Sequence, residues 1–131
     1  MIKPIPFISI VEDETDLLYL FKDALSQIEH VKVFAFSDPM IALEHFQINH
    51  ENYRCIISDY RMPGLTGIQL LEKVKAINPR VTRMIISAFE VEDELFKKCQ
   101  CIDKFLRKPI GMTDLVNEVK KHLTTLEIVD R

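Results

Sequence analysis

Short apolar runs alternate along the chain with stretches whose apolar residues recur every three or four positions. Phe7-Ile8-Ser9-Ile10-Val11 is one such run, and its length and β-branching predict a buried strand. Beyond it Leu17, Phe21, Ala24, Leu25 and Ile28 recur at helical spacing. Val31 to Phe36 reads as a second strand, and Asp38-Pro39 as the cap and first residue of a helix running through Leu43 and Phe46. Cys55 to Ser58 is the third strand. Pro63-Gly64 supplies turn chemistry, and Thr66 followed three residues later by Gln69 forms a capping box. That box opens a helix carrying Ile68, Leu71 and Val74, which Asn78-Pro79 ends. A fourth strand is predicted over Thr82 to Ile86, a helix over Glu90 to Lys98, and a fifth strand over Ile102 to Leu106. Leu115, Val116, Val119 and Leu123 mark the last helix.

The pattern amounts to five strand–helix units, with strand runs too continuously apolar for a sheet that faces water on one side. Such runs suit a parallel sheet covered on both faces. Right-handed crossovers then give a doubly wound α/β fold, a three-layer sandwich with five helices. Folds of this kind bind ligands beyond the carboxyl ends of the strands, where the winding direction switches. The pattern therefore says where chemistry belongs before any motif is considered.

Composition narrows the class. The chain has 131 residues, 47% hydrophobic and 28% charged, which fits one soluble domain with its own core. A net charge of −3 gives no basic face for nucleic acid. No stretch approaches the roughly 18 apolar residues that would span a membrane. The three cysteines, Cys55, Cys99 and Cys101, are odd in number and no signal peptide precedes them, so free thiols and a cytoplasmic location are expected. Cys99-Gln100-Cys101 could serve as half of a metal site, but no second Cys or His pair completes it, so a metal there is not expected. The four histidines are expected on the solvated surface.

The strand ends carry the candidate chemistry. Strand one runs into Glu12-Asp13-Glu14, strand three into Asp59, strand four into Ser87 and strand five into Lys108-Pro109. Each has a simpler reading alone. The acids could complement a helix dipole, Asp59 could be a turn residue, Ser87 a cap and Lys108 a solvated charge. Together at one sheet edge they suggest more. Converging carboxylates repel unless a cation joins them. Oxygen-only ligands suit Mg²⁺. A carboxylate can act as nucleophile toward phosphorus, and phosphoryl transfer asks of a protein mainly positioning and charge compensation.

These residues resemble the receiver domain of two-component response regulators, in its single-domain form. The resemblance rests on Val11-Glu12-Asp13-Glu14, on Ser58-Asp59-Tyr60-Arg61-Met62-Pro63-Gly64-Leu65-Thr66-Gly67, on Ser87-Ala88 and on Lys108-Pro109. It covers residues 5–124 as the receiver domain and leaves 125–131 as a C-terminal tail. It implies a flavodoxin-like sheet of order 2-1-3-4-5. It implies that Asp59 accepts the phosphoryl group, and that Mg²⁺ is held by Glu12, Asp13, Asp59 and the backbone carbonyl of Arg61. Ser87 and Lys108 would engage the phosphoryl oxygens, the Lys108-Pro109 bond would be cis, and Phe105 would be the switching aromatic. Phe89, large and apolar beside the site, implies slow self-dephosphorylation. The donor would be a sensor histidine kinase or phosphotransfer protein. The output would be a changed face, made by the helix at 90–98, the fifth strand and the last helix, for a downstream protein. No direct nucleic-acid or membrane binding is expected, and the oligomeric state stays open.

Two rival readings remain. An aspartyl-phosphate phosphatase would carry a second acid two residues after the nucleophile, where this chain has Arg61; turnover of external substrates is therefore not expected. A docking module that never uses phosphate would be expected to lose some of Glu12, Asp13, Asp59, Ser87 and Lys108, and all are present.

Overall fold

The computed structural model describes residues 5–88 and 100–129, with side chains described as far as residue 123. Five strands form one parallel sheet: β1 (Phe7–Val11), β2 (Lys32–Phe36), β3 (Tyr53–Asp59), β4 (Thr82–Ser87) and β5 (Lys104–Arg107). Their order is β2-β1-β3-β4-β5. The helices among the described residues are α1 (Thr15–Leu25), α2 (Pro39–Asn49), α3 (Gly67–Ile77) and α4 (Met112–Val129). This is the doubly wound α/β sandwich that the alternating pattern predicts. The helix expected over Glu90 to Lys98 lies outside the described residues.

Both faces of the sheet are covered, which is why the strands read as continuous apolar runs. On one face Leu18, Phe21 and Leu25 of α1 and Leu115 and Val119 of α4 pack against Ile8, Ile10, Ile57, Met84, Ile86 and Leu106. On the other, Ala42, Leu43 and Phe46 of α2 and Leu70, Leu71 and Val74 of α3 close over Tyr53, Ile56 and Ile85. The interior strand β4 is buried along its whole length, whereas β2 at the sheet edge is only partly covered.

The local signals at helix ends act as the sequence implies. Asp38 caps α2, accepting from the Met40 N–H at 2.9 Å, with Pro39 as the first helical residue. Thr66 accepts from the Gln69 N–H and Gln69 accepts from the Thr66 N–H, so the capping box is complete. Asn78 ends α3.

Register decides the rest. Val11 lies beside Phe36 and Ser58, Asp59 beside Ile86, and Ser87 beside Arg107. The ladder runs one step past the strands, with the Glu12 N–H donating to Phe36, Tyr60 to Ile86 and Lys108 to Ser87 at 2.9–3.0 Å. The residues just after β1, β3 and β5 therefore emerge side by side at the carboxyl edge.

Two expectations are corrected. His45 is half-buried: its ring packs among Phe7, Phe34 and Phe36, and its Nδ1 lies 2.8 Å from the Tyr53 hydroxyl. An α2 residue one turn before Asn49 faces the sheet, and the aromatic residues of β1 and β2 enclose it. The cysteines are not all free thiols. Cys55 is free and buried in β3, where desolvation pushes its thiol far up, but Cys101 is disulfide-bonded. A bonded sulfur offers no thiolate to a metal. Cys99 lies outside the described residues.

Candidate functional site

Glu12 follows β1 directly and is 1% exposed, so helix-dipole complementarity does not account for it. Glu14, not Glu12, is the residue that precedes the first turn of α1. Asp13 is exposed and Asp59 half-buried. One carboxylate oxygen from each of Glu12, Asp13 and Asp59 lies within 4.8 Å of the other two.

Lys108 reaches into this group from the end of β5. Its Nζ lies 2.8 Å from Glu12 Oε1 and 3.2 Å from Asp59 Oδ1. The Lys108-Pro109 peptide bond is cis. Asp59 is oriented from below as well, since the Tyr60 N–H donates to Oδ1 at 3.0 Å. Ser87 closes β4, 2% exposed, and its carbonyl receives the Lys108 N–H. Arg61 is exposed on the loop after β3. Phe105 is partly buried against the core on the α2–α3 side of the sheet, paired in register with Ile85. Phe89 lies outside the described residues.

The loop from Asp59 to α3 holds its shape through two glycines. Gly64 adopts a φ of +90°, open to glycine and costly for other residues. Gly67 starts α3 against the strand: a Cβ there would overlap the Asp59 carbonyl oxygen and sit 2.6 Å from Ile85 Cδ1. The Gly67 N–H donates to the Tyr60 carbonyl at 2.8 Å, which ties the helix start to the residue after Asp59. Gly67 belongs to the segment Ser58 to Gly67, but only the three-dimensional packing shows that it acts by close approach to Asp59.

The electrostatics are unbalanced. Among the described residues, the carboxylates of Glu12, Asp13 and Asp59 gather around the ammonium of Lys108. Burial pushes the Glu12 carboxyl up to about 7; its hydrogen bond to Lys108 opposes the rise and the neighbouring Asp59 charge adds to it. Burial also works against charge on Lys108, but its hydrogen bond to Glu12 and the negative charges of Asp59 and Glu12 outweigh that and hold it above the usual lysine value. Lys108 is therefore charged at neutral pH, and the site has room for one more cation. The donors are all hard oxygens, the set that Mg²⁺ or Ca²⁺ accepts.

The family model described as the response regulator receiver domain matches residues 8–120. The chain belongs to the response regulator receiver family. It is 32% identical over 111 residues to the putative two-component response regulator ARR21 of Arabidopsis thaliana, covering 82% of this chain but 17% of that one. With the Arabidopsis two-component response regulator ARR16 it shares 31% over 116 residues, covering 77% of this chain and 70% of that one. This receiver thus spans only a fraction of some of its curated relatives. A crystal structure of a response regulator receiver domain protein from Clostridium thermocellum superposes with a TM-score of 0.84 at 23% identity, covering 95% of this chain and 98% of that one, a likeness of fold. Receiver domains are signalling domains of two-component systems, and this chain is one of them.

Proposed function

We propose that this receiver is a phosphorylation switch in which Asp59 takes a phosphoryl group in a Mg²⁺-dependent reaction, within a domain spanning residues 5–124 followed by a tail at 125–131. The observation that carries the reading is the contact of Lys108 with both Glu12 and Asp59 inside a cluster of carboxylates that one ammonium does not neutralise. Glu12, Asp13, Asp59 and the Arg61 carbonyl would hold the ion. Bound there, Mg²⁺ offsets charge on the carboxylates and on the incoming phosphoryl oxygens.

The chain's own groups supply positioning. Tyr60 and Lys108 engage Asp59 Oδ1 and fix the plane of the carboxylate. The nucleophile is then Oδ2. It forms the new O–P bond as the donor's N–P bond breaks, with the phosphohistidine of a sensor kinase or phosphotransfer protein as the donor and its imidazole as the leaving group. Lys108 then pairs with a phosphoryl oxygen as a compact mobile charge, and the Ser87 hydroxyl donates to another. Phosphorylation adds a charge of about −1.5 to −2. A few charge-assisted hydrogen bonds at about 1.5–3 kcal/mol each can move a two-state equilibrium that needs roughly 5.5 kcal/mol. Phe105 and the face carrying β5 and α4 are the proposed responders, and a downstream protein reads them in the cytoplasm. External phosphomonoesters are not turned over.

The test is labelling by a small phosphodonor with Mg²⁺, read by intact mass. One phosphoryl group should be gained, and none in Asp59→Asn. Label that persists in the variant overturns the assignment. Beryllofluoride with Mg²⁺ separates a switch from a constitutive docking module: the switch changes its amide spectrum well beyond the site.

A further inference from the structure

Helix α2 presents apolar residues to solvent. Its inner side is accounted for, because Ala42, Leu43 and Phe46 are buried in the core. Yet Met40, Ile41 and Ile48 on the outside are 47%, 53% and 82% exposed. At 3.6 residues per turn, positions 40, 41, 44 and 48 fall within about 100° of arc and extend about 12 Å along the axis. Three of the four are large and apolar, and the fourth, at the centre, is exposed Glu44. Large apolar side chains grouped on the outer side of a helix mark a surface that another molecule can cover.

Charge selects the cover. From Val33 to Tyr53 the chain holds Asp38, Glu44 and Glu51 and no Lys or Arg. A helix that lies on an anionic membrane carries basic residues along its polar flank, and this one carries acids. A second copy fits no better. An antiparallel two-fold pairing of α2 with itself, centred on the stripe, brings Glu44 against its own symmetry mate among apolar side chains.

We propose that the outer face of α2 docks an amphipathic helix of a partner protein, with aliphatic anchors at helical spacing and a Lys or Arg opposite Glu44. Met40 and the two isoleucines seat the anchors, Met40 adapting to the shape offered. Glu44 sets orientation and rejects acidic helices. The inference does not rest on phosphorylation of Asp59.

The test titrates the full chain, observed by its amide resonances, with three helical peptides. One carries Leu at every third and fourth position and Lys elsewhere, one has Glu in place of Lys, and one scrambles the first. The Lys peptide should shift the amides of residues 40–48, and Ile48→Lys should weaken it about tenfold. Glu44→Lys should reverse the preference toward the Glu peptide by a similar factor. Both positions are exposed, and thermal melts verify that the variants fold. Equal binding of the scrambled peptide, or indifference to either substitution, overturns the proposal. So does self-association or binding to anionic vesicles that Ile48→Lys abolishes, since each would assign the face to another occupant.

Discussion

Arg83 and Lys108 are both largely withdrawn from water, and they live in opposite circumstances. The Arg83 side chain is 6% exposed and that of Lys108 is 22% exposed. Arg83 is saturated by fixed backbone: Nε donates to the Cys101 carbonyl at 2.6 Å, and Nη1 to Pro79 and Val81 at 3.0 and 2.8 Å. Its remaining partner is the Asp103 carboxylate at 3.5 Å. Among the described residues Lys108 meets side-chain carboxylates, those of Glu12 and Asp59, and no backbone carbonyl. A planar guanidinium held by carbonyls can do nothing but tie the start of β4 to the approach to β5. An ammonium shared between two acids can let go of one and take up a phosphoryl oxygen. The difference separates a structural charge from a chemical one without reference to any relative.

Crossing the two substitutions breaks or upholds that contrast most forcefully. Lys108→Ala should lower the rate of labelling on the order of 10²-fold, the scale for deleting one charge-stabilising donor, and leave denaturation midpoints near wild type. Arg83→Met should do the reverse. It strands buried carbonyls, at a cost of about 3 kcal/mol in chemical denaturation, while the folded fraction labels at the normal rate. Should Arg83→Met label as slowly as Lys108→Ala at full folded fraction, the division of roles is wrong.

Gly67 sharpens the comparison, because it is a structural residue placed against the reactive one. In Gly67→Ala the new methyl group collides with both the Asp59 carbonyl and the Ile85 side chain. The expected loss is about 2 kcal/mol, the usual range for overpacking. Labelling should also slow, because the backbone of the nucleophile moves. An equal substitution at solvent-facing Ala76→Gly should cost about 1 kcal/mol from helix propensity and leave labelling alone.

The contrast between the two cations also marks what could be read from the residues. The strands and caps were legible because each has a local cause: continuous apolar runs for buried parallel strands, Asp38-Pro39 and Thr66-x-x-Gln69 for helix starts. The meeting of Glu12, Asp59 and Lys108 was legible because parallel topology carries all strand ends to one edge. What stayed hidden depends on distance between residues far apart in sequence. Arg83 reads as one more polar residue in a strand until Cys101 and Asp103 are beside it. His45 reads as surface until β1 and β2 supply three phenyl rings and β3 the Tyr53 hydroxyl. Gly67 reads only as the residue after the Thr66 cap until α3 is laid on Asp59.

The capping box offers a milder perturbation of the same loop. Thr66→Ala removes the acceptor of the Gln69 N–H at the start of α3, worth about 1 kcal/mol. The Gly67 contact with the Tyr60 carbonyl remains. Stability measured by urea should fall by that amount while the labelling rate changes less than in Gly67→Ala. A larger kinetic effect from Thr66 than from Gly67 would place control of Asp59 in the helix start instead of in the close approach.

The last prediction concerns Glu12 and pH, and it probes the surplus of negative charge directly. The Glu12 carboxyl titrates at its ordinary value of 4.5 in the unfolded chain and at about 7 in the folded one. Between those values the native state holds the extra proton. Its contribution to stability is then full below about pH 4.5 and is lost as pH rises through 7. The metal-free protein should therefore lose stability over that window relative to Glu12→Gln, which cannot ionise but can still accept from Lys108. Other carboxylates titrate in both proteins and cancel in the difference. Mg²⁺ at saturation should erase the gap, because the ion compensates the charge that burial penalises, and its binding near neutral pH should release a proton detectable by calorimetry in buffers of different ionisation heat. Parallel stability curves for the two proteins would show that Lys108 alone keeps Glu12 ionised, and the site would then have no unmet demand for a second cation.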